Sequence, residues 1–325
     1  MKEAIQRISE LIHRGKRFLV TTHRNPEGDA LGSALALANA FKEGGKEVVV
    51  YNLDPVPYML QFLPMSDQVV HQIPKDKKYD AVFVVDCGDL KLVGEEFEKF
   101  RPGQMLVNID HHRTNPGYGE INVVVPKASA SGEVVYHILE AAFLKITSDV
   151  AVCIYTAIYT DTGAFHYSNT SPEALEITAR MVREGAEPAR IAEELYDSHP
   201  KGRLDLLGLV LQTLEVRDSG EVASIFVTQK MFQKTGTSNE HVEGFVGYPR
   251  SIKGVEIAFS LREVEKEKWR VSLRSKGKYD VSKIAIQLGG GGHHNAAGGD
   301  VQGTLEEAKK KVYIVVDPLI ESRKS

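Results

Sequence analysis

The chain is poor in cysteine, holds a single tryptophan and contains no long apolar run. Its two cysteines, Cys87 and Cys153, lie far apart, which builds neither a zinc cluster nor a disulfide framework and fits a reducing compartment. Neither is read as a nucleophile. No apolar stretch approaches the ~20 residues of a bilayer span, and the start Met1-Lys2-Glu3 lacks the basic, apolar and small-residue order of a signal peptide. No membrane partner is expected, and the cytoplasm is the expected location. A surplus of one charge is also missing: 40 Lys and Arg against 44 Asp and Glu leave −4. That balance excludes a protein that wraps long duplex nucleic acid by bulk electrostatics, so an anionic substrate has to be gripped locally.

What is there is ordinary globular material, 26% charged and 42% hydrophobic, which rules out a mostly disordered chain. At ~150 residues per domain, a length of 325 residues suggests two domains. Ile5, Ile8, Leu11 and Ile12 fall at helical spacing, and Arg17 to His23 reads as a buried strand. A helix is expected from about Asp29 to Glu43, stopped by Gly44-Gly45. The apolar runs Val48 to Tyr51, Ala81 to Val85 and Met105 to Ile109 follow, mostly separated by segments long enough for helical crossovers. That alternation predicts an α/β fold with a doubly wound, mostly parallel sheet.

From Gly132 to Leu195 the periodicity turns helical, with segments near 132–145, 149–160, 172–184 and 188–195, until Asp197-Ser198-His199-Pro200-Lys201-Gly202 breaks it. We place a domain boundary there: residues 1–196, then 197–325, with a linker at about 190–205. Beyond it, strand-like runs at Val222 to Val227, Val255 to Leu261 and Trp269 to Leu273 precede a helix at 280–288, a glycine cluster and a last helix near 304–316. This is expected to be a smaller α+β domain.

Three of the expected strands run into metal-capable residues: His23, Asp86 and the triplet Asp110-His111-His112. Parallel α/β sheets collect ligands at the carboxyl ends of their strands, so three such endings point to one site. The first continues as His23-Arg24-Asn25-Pro26-Glu27-Gly28-Asp29, with ligand-type residues at i, i+4 and i+6. Asp29 could equally cap the next helix. Asp161, where an apolar helix gives way to Thr162-Gly163, is a further candidate, with a local turn role as the alternative. Histidine and carboxylate without cysteine favour Mn²⁺, Mg²⁺, Fe²⁺ or Zn²⁺. A central carboxylate such as Asp86 can bridge two ions, and two ions ~3.5–4 Å apart clamp an in-line displacement at phosphorus.

The motifs His23 to Asp29, Asp86, Asp110-His111-His112 and Asp161 resemble, in order and spacing, the four motifs of the DHH phosphoesterase superfamily. Asn115 matches the asparagine after the DHH triplet, and Ala130-Ser131-Gly132-Glu133 looks like the small-residue segment between the third and fourth motifs. The segment Gly289 to Gly298, with Arg274-Ser275 before it, looks like the DHH-associated domain of the oligoribonuclease and pAp-phosphatase branch.

The resemblance implies a phosphodiesterase or phosphatase that uses two divalent ions, with Mn²⁺ the expected metal. Its substrates would be short RNA (nanoRNA), linear pApA, cyclic di-AMP or pAp. It implies that His23, Glu27 and Asp86 hold one ion and that Asp29, Asp86, His111 and Asp161 hold the other. His112 would act at the scissile phosphate and Asp110 would orient the histidines. Arg113, Ser131, Arg274, Ser275, Gly291, Gly292 and His293 would contact the substrate. Glu27 departs from the family's aspartate; its extra methylene shifts the carboxylate by ~1.5 Å and puts the first ion in question.

Arg274 and Lys276 would alternate onto one strand face, with surface solvation as the alternative role. Four consecutive glycines without a following Lys-Ser or Lys-Thr are not a P-loop. His166 is a weak candidate for the site rim; His13, His71, His137, His199 and His241 fall outside every motif. Competing readings are a family II-like inorganic pyrophosphatase and a nucleotide-binding module with decayed catalysis. The sequence leaves the preferred substrate and the oligomeric state open, with a homodimer as the candidate.

Overall fold

The computed structural model describes residues 2–74 and 77–321, and the chain forms two compact units, Met1–Ser198 and His199–Ser325. The first unit is built on five strands: β1 (Arg17–Thr21), β2 (Glu47–Tyr51), β3 (Ala81–Val85), β4 (Leu106–Asp110) and β5 (Ile121–Val124). All pair in parallel, in the order β2-β1-β3-β4-β5. The expected α/β class and parallel sheet are thus present. β1 and β3 are buried along almost their whole length, as parallel strands sandwiched between layers are.

The helices of this unit are α1 (Lys2–Arg14), α2 (Gly28–Glu43), α3 (Glu95–Phe100), α4 (Ser131–Ala141), α5 (Ser148–Asp161), α6 (Pro172–Arg183) and α7 (Pro188–Ala192). α2 is buried from Gly28 to Phe41, which is why its apolar residues are nearly continuous rather than periodic. One core joins Phe18, Leu31, Leu35 and Phe83 to the apolar faces of α4 and α5; a smaller one on the other side of the sheet holds Leu19, Val82, Val84 and Phe97.

In the second unit come α8 (Lys201–Leu211), β6 (Glu215–Val216), β7 (Val222–Val227), α9 (Gln229–Thr235) and α10 (Gly247–Ser251). These are followed by β8 (Ile257–Glu265), β9 (Lys268–Ser275), α11 (Val281–Gln287), β10 (Gly291–Gly292), β11 (Ala296–Gln302) and α12 (Leu305–Glu321). The sheet runs β10-β11-β9-β8-β7-β6 and is mixed: β7 and β8 are parallel and the other pairs antiparallel. α11 and α12 cover one face through Ile284, Ala285, Val312 and Val316.

Two expectations shift. The break at residues 197–202 is short, because α8 already begins at Lys201. Part of the glycine cluster is sheet rather than loop, since Gly291 and Gly292 pair with Gly298 and Ala297. No helix among the described residues is long and apolar enough to cross a membrane.

Candidate metal centre and catalytic residues

Strand register brings the first three motifs to one level. Thr21 on β1 pairs with Val84 on β3, and Val85 pairs with Ile109 on β4. His23, Asp86 and His111 therefore leave the same edge of the sheet within two residues of one another, beside the β1/β3 junction where the strand order reverses. The fourth motif arrives by helix packing. A Cβ at Gly28 would meet Thr160 Oγ1 at 2.4 Å, and one at Gly32 would meet the Cys153 carbonyl at 2.7 Å. Without those side chains the start of α2 lies against the end of α5, which sets Asp29 beside Asp161.

The outcome is two donor groups that lean on Asp86. His23 Nε2 lies 3.1 Å from Glu27 Oε2 and 3.8 Å from Asp86 Oδ2. His111 Nε2 lies 3.6 Å from Asp29 Oδ2, 3.6 Å from Asp86 Oδ1 and 3.8 Å from Asp161 Oδ2. Ligand atoms of His23, Glu27 and Asp86 fall within 4.8 Å of one another, as do those of Asp29, His111 and Asp161.

Two features of these residues fit a divalent cation. The Nδ1–H of His23 donates to the Arg24 carbonyl at 2.8 Å, and that of His111 to the Ala128 carbonyl at 3.2 Å. A carbonyl can only accept, so Nδ1 keeps its proton in both rings, and Nε2, which faces the carboxylates, is the nitrogen that a cation would meet once it gives up its own proton. Among the described residues no lysine or arginine pairs with Asp29, Asp86 or Asp161, although the first two are buried. Only the neighbouring histidines offset these carboxylates, and a metal ion would offset them further.

Glu27 spans the added methylene: Oε1 caps α2 by accepting from the Ala30 N–H at 3.0 Å while Oε2 turns to His23. The cap considered for Asp29 belongs to Glu27. Asp29 instead accepts from the Ser131 N–H at 2.7 Å, the Gly132 N–H at 3.0 Å and Ser33 Oγ at 2.8 Å.

His112 borders the donor groups, its Nδ1 3.6 Å from Asp86 Oδ1. Its Nδ1 lies 2.7 Å from Asp110 Oδ1, which also accepts the His111 N–H at 2.8 Å. Asp110 Oδ2 accepts from Asn115 Nδ2. Asn108 then donates to Asn115 Oδ1 at 2.9 Å and to Asn122 Oδ1 at 3.0 Å. The part-buried chain His112, Asp110, Asn115, Asn108, Asn122 fixes the imidazole from below. Asn108 and Asn122 were not picked out from sequence; a polar residue at a buried position of a parallel strand is the signal that marks Asn108. Asn169 was also missed: it donates to the Ser129 and Asp161 carbonyls at 3.0 and 3.1 Å and pins the end of α5.

Ionisation follows from crowding. Burial opposes the charged form of His23, but Glu27 and Asp86 outweigh it and hold the imidazole well above its ordinary value. His111, likewise buried, is driven to about 10 by Asp161, Asp29 and Asp86. His112 is raised because Asp110 overcomes its burial. Burial and Asp86 push Asp29 well up, and burial lifts Asp161 to about 6, whereas the three histidines hold the buried Asp86 well below the carboxylate range. Cys87, next to Asp86, is pushed up to about 12 by burial, as an inert thiol should be.

The substrate-binding candidates fall in several places. Arg113 is exposed after the triplet. Ser131 is fully buried under the carboxylates, its hydroxyl donating to Asp86 Oδ1 at 2.8 Å. In the second unit Arg274 pairs across the sheet with Ala296, whose carbonyl accepts the His293 N–H at 2.7 Å, so Arg274, Gly291, Gly292 and His293 share one end of the sheet. Ser275 points into that unit's interior and donates to Asn295 Oδ1 at 3.1 Å. His166 is held locally, by the Gly163 and Ala164 carbonyls.

Fold and donors together define a class: a doubly wound α/β protein whose strand ends gather histidine and carboxylate, without thiolate, around a site suited to hard divalent ions. The chain belongs to the DHH family: its residues 17–158 match the DHH family N-terminal domain and residues 222–317 match the DHHA1 domain. It is 34% identical over 295 residues, 90% of this chain and 87% of the relative, to the bifunctional oligoribonuclease and PAP phosphatase NrnA of Thermus thermophilus. To the Bacillus subtilis protein of the same name it is 27% identical, over 87% of this chain and 89% of the other. Among solved structures, an exopolyphosphatase-related protein from Bacteroides fragilis superposes with a TM-score of 0.90 at 28% identity, covering 100% of this chain and 98% of the other.

Proposed function

We propose that the protein is a metal-dependent phosphodiesterase and phosphatase acting on short oligoribonucleotides and small nucleotides, pAp among them. The observation that carries this reading is the pair of donor groups meeting at Asp86. The names of the curated relatives, oligoribonuclease and PAP phosphatase, supply the substrate class.

His23, Glu27 and Asp86 would hold one divalent ion and Asp29, Asp86, His111 and Asp161 a second, with Mn²⁺ suited to this mixture of nitrogen and oxygen. When bound, two such ions lower the pKa of water and offset charge on a phosphoryl group. The chain's own residues do the rest. Ser131 and the N–H groups of residues 131 and 132 keep Asp29 and Asp86 aimed into the site. Asp110 holds His112 by Nδ1, leaving Nε2 to meet the substrate. The Asp110 contact raises the affinity of His112 for its proton, so near neutrality the ring can hand that proton to the departing ester oxygen. Arg113, Arg274 and His293 are proposed as substrate contacts, and linear pApA and cyclic di-AMP as further substrates.

The test is a chromatographic time course on pAp, pApA, cyclic di-AMP, RNA of two to five nucleotides and pyrophosphate, with Mn²⁺ and after chelation. Release of mononucleotides or phosphate from the short nucleotides, abolished by chelation, is expected. Turnover of pyrophosphate alone, or full turnover in chelator, overturns the reading.

A further inference from the structure

The carbonyls that orient His23 and His111 belong to peptide units whose other ends are held by carboxylates. The Arg24 carbonyl accepts the His23 Nδ1–H at 2.8 Å, and the N–H of the same peptide unit, that of Asn25, donates to Asp54 Oδ2 at 2.7 Å. The Ala128 carbonyl accepts the His111 Nδ1–H at 3.2 Å, and the N–H of that unit, on Ser129, donates to Glu133 Oε2 at 3.0 Å. A peptide unit is planar, so its C=O and N–H turn together. Neither carbonyl can swing away from its imidazole without breaking the contact to its carboxylate.

Both carboxylates are themselves seated. Asp54 lies just past β2, and its N–H donates at 2.9 Å to Oδ1 of the buried Asn52, whose Nδ2 holds the His23 carbonyl at 3.0 Å. Asn25 takes the left-handed backbone region at φ 50°, which asparagine tolerates and a hydrogen bond to its N–H secures. Glu133, in the first turn of α4, is buried and also accepts from Ser129 Oγ at 2.7 Å.

We propose, on the two-ion reading above, that Asp54 and Glu133 are positioning residues, each acting on one ion through one peptide unit and one histidine. Metal-bound imidazoles commonly give their far N–H directly to a carboxylate; here a peptide unit stands between. A negative charge at the N–H end polarises the unit and makes its carbonyl a stronger acceptor, since hydrogen bonds in series reinforce one another. The ring is held in place and its Nε2 becomes a better donor to a cation. Asp54 thereby serves the ion of His23, Glu27 and Asp86, and Glu133 the ion of Asp29, Asp86, His111 and Asp161.

The experiment titrates chelated protein with Mn²⁺ and counts free ion by electron paramagnetic resonance, with Glu27→Ala and Asp161→Ala assigning the two steps. Asp54→Ala should weaken the step that Glu27→Ala weakens, and Glu133→Ala the step that Asp161→Ala weakens, each by roughly tenfold. Asp54→Asn and Glu133→Gln, which keep an acceptor without the charge, should lose less, and they decide the matter should an alanine variant fail to fold. In metal-free protein the Nδ1 proton resonances of His23 and His111, assigned by their loss in His23→Gln and His111→Gln, should each move upfield only when their own carboxylate is replaced. Folded variants that bind both ions as the wild type does, that weaken both steps alike, or that leave the proton resonances in place overturn the proposal. A wild type that binds fewer than two ions instead overturns the two-ion reading, and the proton resonances still decide whether the carboxylates act on the histidines.

Discussion

Asp86 occupies the left-handed region of backbone space at φ 52°, a conformation that costs a non-glycine residue of order 1 kcal/mol or more and persists where surrounding structure enforces it. The enforcement is visible: the Asp86 N–H donates to the Ile109 carbonyl, and Ser131 donates to its carboxylate. Replacing Asp86 with asparagine keeps the shape and removes the charge shared by both donor groups, so kcat should fall by roughly a thousandfold while the melting temperature changes little. Turnover within tenfold of wild type would remove Asp86 from the mechanism. Glu27 separates two tasks: Glu27→Ala should cost about 1 kcal/mol of capping and weaken Mn²⁺ binding, whereas Glu27→Asp should keep the cap and turn over within about tenfold of wild type. Thermal melts and Mn²⁺ titrations read the two effects independently.

Titration follows from the same crowding. The neighbouring carboxylates hold His111 near 10, so below that value the ring carries a proton that a cation must displace. Mn²⁺ affinity should therefore rise with pH between 6 and 9, with protons released on binding. Calorimetry in two buffers of different ionisation enthalpy measures the release; binding that is independent of both pH and buffer would show that His111 is not a ligand.

Among elements, the packing of α2 on α5 matters most for the site. Gly28→Ala sets a methyl against Thr160 Cγ2 at 2.5 Å. The change should cost about 1–3 kcal/mol and, by prising Asp29 from Asp161, weaken Mn²⁺ binding as well. An alanine variant with wild-type stability and affinity would show that the close approach is unnecessary.

These elements were largely legible because their apolar residues follow the periods that burial imposes, as in β1, β3 and α5. The misses have physical causes. β5, four residues at the sheet edge, is too short to show alternation. β11, Ala-Ala-Gly-Gly-Asp-Val-Gln, contains a single β-branched residue and is a strand because β9 and β10 pair with it. Its glycines reflect close approach: a Cβ at Gly298 would fall 2.9 Å from the Val271 carbonyl, and one at Gly299 3.1 Å from the Leu288 carbonyl. Of the proposed ligand residues, His23, Asp86 and His111 could be read from strand endings, whereas Glu27, Asp29 and Asp161 lie in a loop, at a helix start and at a helix end and stood out through the family resemblance. Asn122 and Asn169 could not, because they act through neighbours that only folding supplies, and Asn108 showed itself only as a polar residue inside an apolar strand.

On the scale of the whole molecule, a charge of −4 gives no bulk attraction for long nucleic acid. With two or three phosphates engaged, log affinity should fall with log salt by roughly 0.7 per phosphate, a shallow slope for a nucleic-acid enzyme. kcat/KM measured from two to about twenty nucleotides at two salt concentrations should favour the shortest substrates; efficiency that grows with length alongside a steep slope would point to an extended channel.

The two donor groups sharing Asp86 are proposed to form one hydrolytic centre for short nucleotides. Titrating chelated protein with Mn²⁺ while following both bound metal and pAp hydrolysis tests it most directly. Two equivalents should bind, with turnover appearing as the second fills and absent from Asp86→Asn throughout. Hydrolysis at full rate by metal-free protein, or by Asp86→Asn, would contradict it.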